Sequence, residues 1–276
     1  METETIKAGA SKDIVKSRYD ACAEQGGGEG AVCCAGDTPA SPSFAAEHGL
    51  YSREELSLVP KIAFTLSRGC GNPAGFADLQ LGEVVVDFGC GAGIDVVLAA
   101  HKVGPAGKVV GVDMTPHMIE RAKQSVAEAH VAETTEFLLA DLEQVELPDG
   151  FADVVISNCV INLCPDKEAV YREAFRVLKP GGHFVVIDHR APDGAPATTG
   201  GVTHRLAQDT LMDMMGDVGL VLVEEASGVS FQLAKIRFER FFRRLKERNH
   251  QALGQRVLKI GGEETEGRKG AGVPRE

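Results

Sequence analysis

Val84-Val85-Val86-Asp87-Phe88-Gly89-Cys90-Gly91-Ala92-Gly93 is the stretch whose reading decides the fold. The run Val84 to Phe88 predicts a buried strand, and the apolar spacing of Ile94 to Val103 predicts a helix directly after the glycines. Glycines between them let the backbone turn sharply and approach a ligand where a Cβ would collide with it. The next apolar run ends in an acid, Asp113, 20 residues after Gly93, where a ribose hydroxyl pair would lie. The glycines at 89, 91 and 93 are spaced GxGxG, not the GxGxxG that seats a pyrophosphate, which weighs against a dinucleotide oxidoreductase.

Working outward, short apolar runs at Val109 to Met114, Glu136 to Ala140, Ala152 to Ser157 and His183 to Asp188 predict four more strands. Helical spacing places Pro116 to His130 and Asp166 to Leu178 between them, with Asp166 as an N-terminal cap and Pro180-Gly181-Gly182 as a stop. This alternation predicts an α/β domain on a doubly wound, mostly parallel sheet. Ala191 to Gly201 reads as a loop, Arg205 to Asp217 as a helix, and Leu220 to Glu224 as a strand completing a sixth βα step. Phe231 to Asn249 reads as an arginine-rich amphipathic helix, and the residues from about 261 as a disordered tail. Upstream, Ser52-Arg53-Glu54-Glu55 predicts a capped short helix ending near Pro60. Glycines 26 to 28, Gly30, Pro39 and Pro42 predict a loop-rich head with a short helix near Lys12 to Cys22. The expected organisation is a flexible, cysteine-bearing extension over 1–48, the catalytic domain over 49–228, and a basic helix with a disordered tail over 229–276.

The totals narrow the function. A net charge of −11 repels phosphate backbones, so nucleic acid is not the expected partner and a small molecule is. No stretch reaches the roughly 18 uninterrupted apolar residues of a membrane span. Met1 to Lys16 carries Glu2, Glu4 and Asp13 and lacks an apolar core, so neither a secretory signal nor a transit peptide is expected, and a cytoplasmic location is. In that compartment the seven cysteines, at 22, 33, 34, 70, 90, 159 and 164, are expected to be mostly reduced thiols. Cys90 reads as a spacer inside the glycine turn, and Cys22 carries no signal beyond packing.

Residues Glu83 to Asp188 resemble the class I S-adenosylmethionine-dependent methyltransferases, which have a Rossmann-like fold. Asp87 matches their acid before the glycines, Asp113 with Met114 their ribose acid, Asp141-Leu142 their adenine-side position, and Lys179-Pro180-Gly181-Gly182 a habitual turn. The resemblance implies S-adenosyl-L-methionine as cofactor, held by Asp87, Gly89, Gly91, Gly93, Asp113, Met114, Asp141, Leu142 and Asn158.

A narrower resemblance, to arsenite methyltransferases of arsenic detoxification, rests on Ser157-Asn158-Cys159-Val160-Ile161-Asn162-Leu163, on Gly69-Cys70-Gly71-Asn72-Pro73, and on Cys33-Cys34. It implies that Cys70 and Cys159 hold trivalent arsenic, the methyl acceptor. One of Cys33 and Cys34, with Cys34 favoured, then partners Cys70 in redox steps, and glutathione or a thioredoxin-type reductant restores the thiols. The chemistry suits sulfur. Arsenic(III) is soft and exchanges hydroxide for thiolate, and its lone pair can then be aimed at a sulfonium methyl, so positioning governs the step and no general base is needed.

Arsenite methyltransferases usually bring another cysteine after the fifth strand; here no cysteine follows Cys164. Three expectations stand: Cys164 replaces it as third thiol, a small thiol such as glutathione completes the shell, or the acceptor is methylarsenite, which offers only two exchangeable positions. The competing functions are a small-molecule O-, N- or C-methyltransferase of the same fold and a thiol protein that sequesters a soft ion without turnover.

Overall fold

The computed structural model describes residues 8–24, 51–69, 71–188, 220–227 and 232–238, with side chains for 12–24, 51–69 and 71–188. Cys33, Cys34, Cys70, the loop from Ala191, the helix expected at Arg205 to Asp217 and the tail beyond 238 lie outside the described residues.

Helix α1 (Ala8–Glu24) is followed by α2 (Arg53–Leu58), α3 (Lys61–Leu66) and α4 (Pro73–Phe76). The α/β series then runs β1 (Val84–Phe88), α5 (Ile94–Val103), β2 (Lys108–Asp113), α6 (Pro116–Glu128), β3 (Thr135–Leu139), β4 (Ala152–Asn158), α7 (Lys167–Val177) and β5 (Leu178–Asp188). It closes with β6 (Leu220–Ser227) and β7 (Gln232–Phe238). The sheet order is β3-β2-β1-β4-β5-β7-β6. Strands β1 to β5 are parallel, and β7 is antiparallel to both β5 and β6. The sheet is therefore the mostly parallel one expected.

Helices cover both faces, and the sequence of β1 shows why. Val85 joins one buried cluster with Val97, Leu98 and Val103 of α5, while Val86 and Phe88 join another with Val170, Ala174 and Phe175 of α7. A strand buried on both sides reads as an unbroken apolar run because neither face meets water. Phe184 anchors the second cluster, its ring 6.3 Å from Phe88 and 6.0 Å from Tyr171. Local caps hold the helices where expected. Ser52 and Glu55 form a reciprocal capping box on α2, and Asp166 accepts from the Ala169 N–H at 2.9 Å on α7.

Three expectations are corrected. Residues 232–238, read as part of an amphipathic helix, form β7. Leu233-Ala234-Lys235-Ile236-Arg237-Phe238 alternates at period two as well as it satisfies a helix, and the open edge of β5 supplies backbone partners from His183↔Arg237 to Asp188↔Gln232. The sixth strand does run in the direction of β1 to β5, but β7 lies between it and β5. Pro180-Gly181-Gly182 does not precede β5 but interrupts it, since Ala152 pairs with Leu178 and Val154 with His183 across a bulge.

Helix α1 spans more than the expected short segment and packs on α6. Asp20 faces His117 at 2.8 Å, and Arg121 Nε donates to the Ala23 carbonyl at 3.0 Å, satisfying an end-of-helix acceptor. Cys22, Ala23, Leu66, Ala92 and Met118 form a small buried cluster beneath it.

Candidate active site

The direction of the chain reverses about the sheet between β1 and β4, and ligands of open parallel sheets bind in the crevice such a switch point leaves. A cleft of ≈ 950 Å³, counted with the solvent space at its mouth, opens there. Its floor is the glycine turn. The Gly89 and Cys90 N–H groups both donate to the Val112 carbonyl, at 2.8 and 3.0 Å, and Gly91 N–H donates to Asp113 Oδ2 at 3.0 Å. Two glycines are required for different reasons. At Gly89 (φ 80°) a Cβ would lie 2.4 Å from the Val160 side chain, whereas at Gly91 (φ 50°), which lines the cleft, no atom of the described residues beyond its two chain neighbours lies within 4 Å of that position. Cys90 is buried, as expected of a spacer.

Acid surrounds the turn. Asp87 is 2% exposed, and its Oδ2 has no hydrogen-bond partner among the described residues. Burial, then Asp95 and Asp113 nearby, push its carboxyl well above the usual carboxylate range. Asp95, at the start of α5, is pushed up to about 7 by burial, against the bonds from Asn158 and Tyr51. Paired buried carboxyls with an unmatched oxygen form a site short of positive charge. S-adenosylmethionine, with its sulfonium and ammonium groups, fits that deficit.

Of the residues singled out for the cofactor, Gly89, Gly91, Asp113, Met114, Asp141, Leu142 and Asn158 line the cleft. Asp87 and Gly93 do not; Asp87 lies behind the turn, and Gly93 abuts Ala122, 3.3 Å from where its Cβ would be. Lys12 closes the β3 end, 2.5 Å from both Asp141 Oδ2 and Glu143 Oε2.

At the β4 end, the Asn158 amide donates to Asp95 Oδ2 at 2.9 Å and to the Gly71 carbonyl at 2.8 Å, with the Tyr51 hydroxyl 3.3 Å from Asp95 Oδ1. Both neighbours of Cys70 are pressed onto the strand ends. A Cβ on Gly69 would lie 2.5 Å from Asn158 Nδ2, and one on Gly71 2.6 Å from Ile187 Cδ1. Cys159 directly follows Asn158 and adopts φ 56°, the left-handed region that a side chain disfavours, with its N–H donating to the Ile187 carbonyl at 2.7 Å. Backbone held there is a mark of functional sites.

Cys159 and Cys164 line the same cleft. Cys164 is a free thiol, pushed up to about 12 by burial, with the Lys167 ammonium opposing. Lys167 is itself buried, pulled down to about 8 by that burial, and donates to the carbonyls of Cys164 (2.7 Å) and Asn162 (3.3 Å). Cys22 and Cys159 are each disulfide-bonded, with neither partner among the described residues, so the expectation of reduced thiols is corrected at these two positions. The physical reason is that a disulfide needs only two thiols within bonding reach, whatever the compartment implies for the chain at large.

Sequence reading missed Lys12, Tyr51, Arg68, Asp95 and Lys167. Asp95 alone carried a signal, an acid in the first turn of the helix that follows the glycines, which reads as a response to the helix dipole.

The family profile described as "Methyltransferase domain" matches residues 79–237. The chain belongs to that family. This methyltransferase is 39% identical to the arsenite methyltransferase of Halobacterium salinarum over 78% of its own length and 59% of the relative's. It is 44% identical to the arsenite methyltransferase of Aquipseudomonas alcaligenes over 44% of its length and 36% of that protein's. Among solved structures, it is similar to an arsenic(III) S-adenosylmethionine methyltransferase from Chlamydomonas reinhardtii, with a TM-score of 0.53 and 28% identity over 74% of this chain and 75% of the other. The chain thus spans about 59% and 36% of the two curated relatives.

Proposed function

We propose that this methyltransferase transfers the methyl group of S-adenosylmethionine to trivalent arsenic held by Cys70 and Cys159. The observation that carries the reading is Cys159, strained at the carboxyl end of β4 and opening into the cleft whose floor is the glycine turn. Gly69 and Gly71, which flank Cys70 in the chain, abut Asn158 and Ile187 at the same sheet end, and this supports the reading.

In this reading a thiol reductant first opens the Cys159 disulfide, and each thiol then displaces one arsenic hydroxide, which leaves as water with the thiol proton. The two sulfurs then fix the direction of the arsenic lone pair. Bound S-adenosylmethionine supplies an electrophilic methyl carbon on a sulfonium. Asp87 and Asp95 balance the cationic half of the cofactor, the Asp113 carboxylate orients its ribose, and Asp141 with Leu142 holds the adenine side. Methylation takes arsenic formally from the trivalent to the pentavalent state. The Cys34 thiol then gives its proton to water and attacks the Cys70 sulfur, the Cys34–Cys70 disulfide forms, and the electron pair of the broken As–S bond stays on arsenic and restores the trivalent state. Glutathione or a thioredoxin-type reductant in the cytoplasm reopens the disulfide.

The test is incubation with labelled S-adenosylmethionine and reduced glutathione, with arsenite, with methylarsenite or with neither, followed by separation of arsenic species. Methylated arsenic from the parent, with loss of about 100-fold or more in Cys159→Ser and Cys70→Ser, is the expected result. Stoichiometric arsenic binding without methylated product, or turnover that survives both substitutions, overturns the proposal.

A further inference from the structure

We propose that Arg68 is the residue that binds the carboxylate of the cofactor's methionine half; this rests on the reading of S-adenosylmethionine as cofactor. The sheet order sets the order of groups along the cleft. Asp141 follows β3, Asp113 ends β2, the glycine turn follows β1, and Asn158 ends β4. A ribose on Asp113 places adenosine over the β2 and β3 ends, so the methionine half crosses β1 toward β4.

That half carries an ammonium and a carboxylate. Asp87 and Asp95 match the ammonium, but they also repel the carboxylate, which needs a cation in an otherwise acidic environment. Among the described residues, the cleft is lined by two side chains that keep a fixed positive charge, Lys12 and Arg68. Lys12 sits at the far end, against Asp141 and Glu143. Arg68 adjoins Gly69, which abuts Asn158, and so stands at the β4 end. Its Nη1 donates to the carbonyls of Ser67 (2.7 Å) and Thr65 (3.2 Å), which fixes the plane of the guanidinium on its own loop. A guanidinium carries a planar fork of N–H donors whose geometry matches a carboxylate in two-point contact.

The test needs no arsenic and no turnover. Calorimetric titration compares S-adenosylhomocysteine with its decarboxylated analogue, S-adenosyl-3-thiopropylamine, on the parent protein, R68K and R68M. The parent should prefer the carboxylate-bearing ligand by about 30-fold, R68M should bind the two within about 3-fold of each other, and R68K should fall between, as a charge-assisted pair predicts. R68M should also bind the analogue as tightly as the parent does, which shows an intact cleft. A parent indifferent to the carboxylate, an R68M variant that keeps the preference, or one that loses both ligands equally overturns the assignment. A parent that binds neither ligand removes the cofactor reading and the proposed methyl transfer with it, whereas the other outcomes bear on Arg68 alone.

Discussion

The Asn158 side-chain amide donates to Asp95 Oδ2 at 2.9 Å and through its second hydrogen to the Gly71 carbonyl at 2.8 Å. One residue thus joins the end of β4, the start of α5 and the segment after Cys70. Asn158→Leu strips a donor from a buried carboxylate and leaves a buried carbonyl unmatched, each costing about 1–3 kcal/mol. The expected outcome is a lower melting temperature and, at temperatures where the variant stays folded, a raised KM for the acceptor. An unchanged melting curve would show that the network does not carry the load assigned to it.

Asp95 sets a pH dependence. Its carboxyl titrates at about 7 in the folded protein against 3.8 ordinarily, so from about pH 4 to 7 the folded state binds the extra proton and stability falls as pH rises. Asp87 and Asp113, also raised by burial, act in the same direction. Urea titrations of the cofactor-free protein should lose up to about 4 kcal/mol across that window, and Asp95→Asn should flatten the curve. Binding the sulfonium cofactor near pH 7 should release a proton, visible as a dependence of the calorimetric enthalpy on the buffer, and at pH 9 that dependence should vanish.

Cys159 occupies a left-handed backbone conformation that costs a residue with a side chain about 1–2 kcal/mol relative to glycine. Cys159→Gly should therefore be more stable than Cys159→Ala by about 1 kcal/mol under reducing conditions, the reverse of the usual order, while neither methylates arsenic. Equal stability of the two variants would argue against backbone strain at this position.

Gly91 and Gly89 separate cofactor binding from folding. Gly91→Ala adds a methyl to the ligand space and should weaken S-adenosylhomocysteine binding by about 10-fold or more, with a melting shift of only a few degrees. Gly89→Ala drives a methyl into Val160 and should chiefly lower the melting temperature.

Cys164 lies in the cleft with Cys159, where a third thiol would sit. If it replaces the cysteine this chain lacks, Cys164→Ala should slow arsenite about 10-fold more than methylarsenite, because only arsenite has a third position to fill. Equal slowing of both acceptors assigns the third position to a thiol from solution.

The α/β core was legible because its signals are local. β1 and α5 have the bounds their residues predict, and Gly89, Gly91, Asp113 and Asp141, singled out from spacing and likeness, line one cleft. The edge of the sheet was not legible, since Gln232 to Phe238 fits two periods and only the pairing partner on β5 chooses between them. Tyr51, Arg68 and Lys12 were missed for another reason. Each reaches the cleft from an element far away in the chain, and nothing in its own neighbourhood encodes that approach.

Beside the small apolar cluster at Cys22 and Ala23, helix α1 is held to the rest of the domain by ions, Lys12 against Asp141 and Glu143 and Asp20 against His117, with side chains that keep roughly a fifth to two fifths of their surface in water. Contacts of that kind are screened by dissolved electrolyte, whereas the apolar packing beneath the sheet is not. Ionic strength therefore acts selectively on one wall of the nucleoside end, shortening the residence of whatever lies behind it while the sheet and the helices packed on it stay indifferent to the medium.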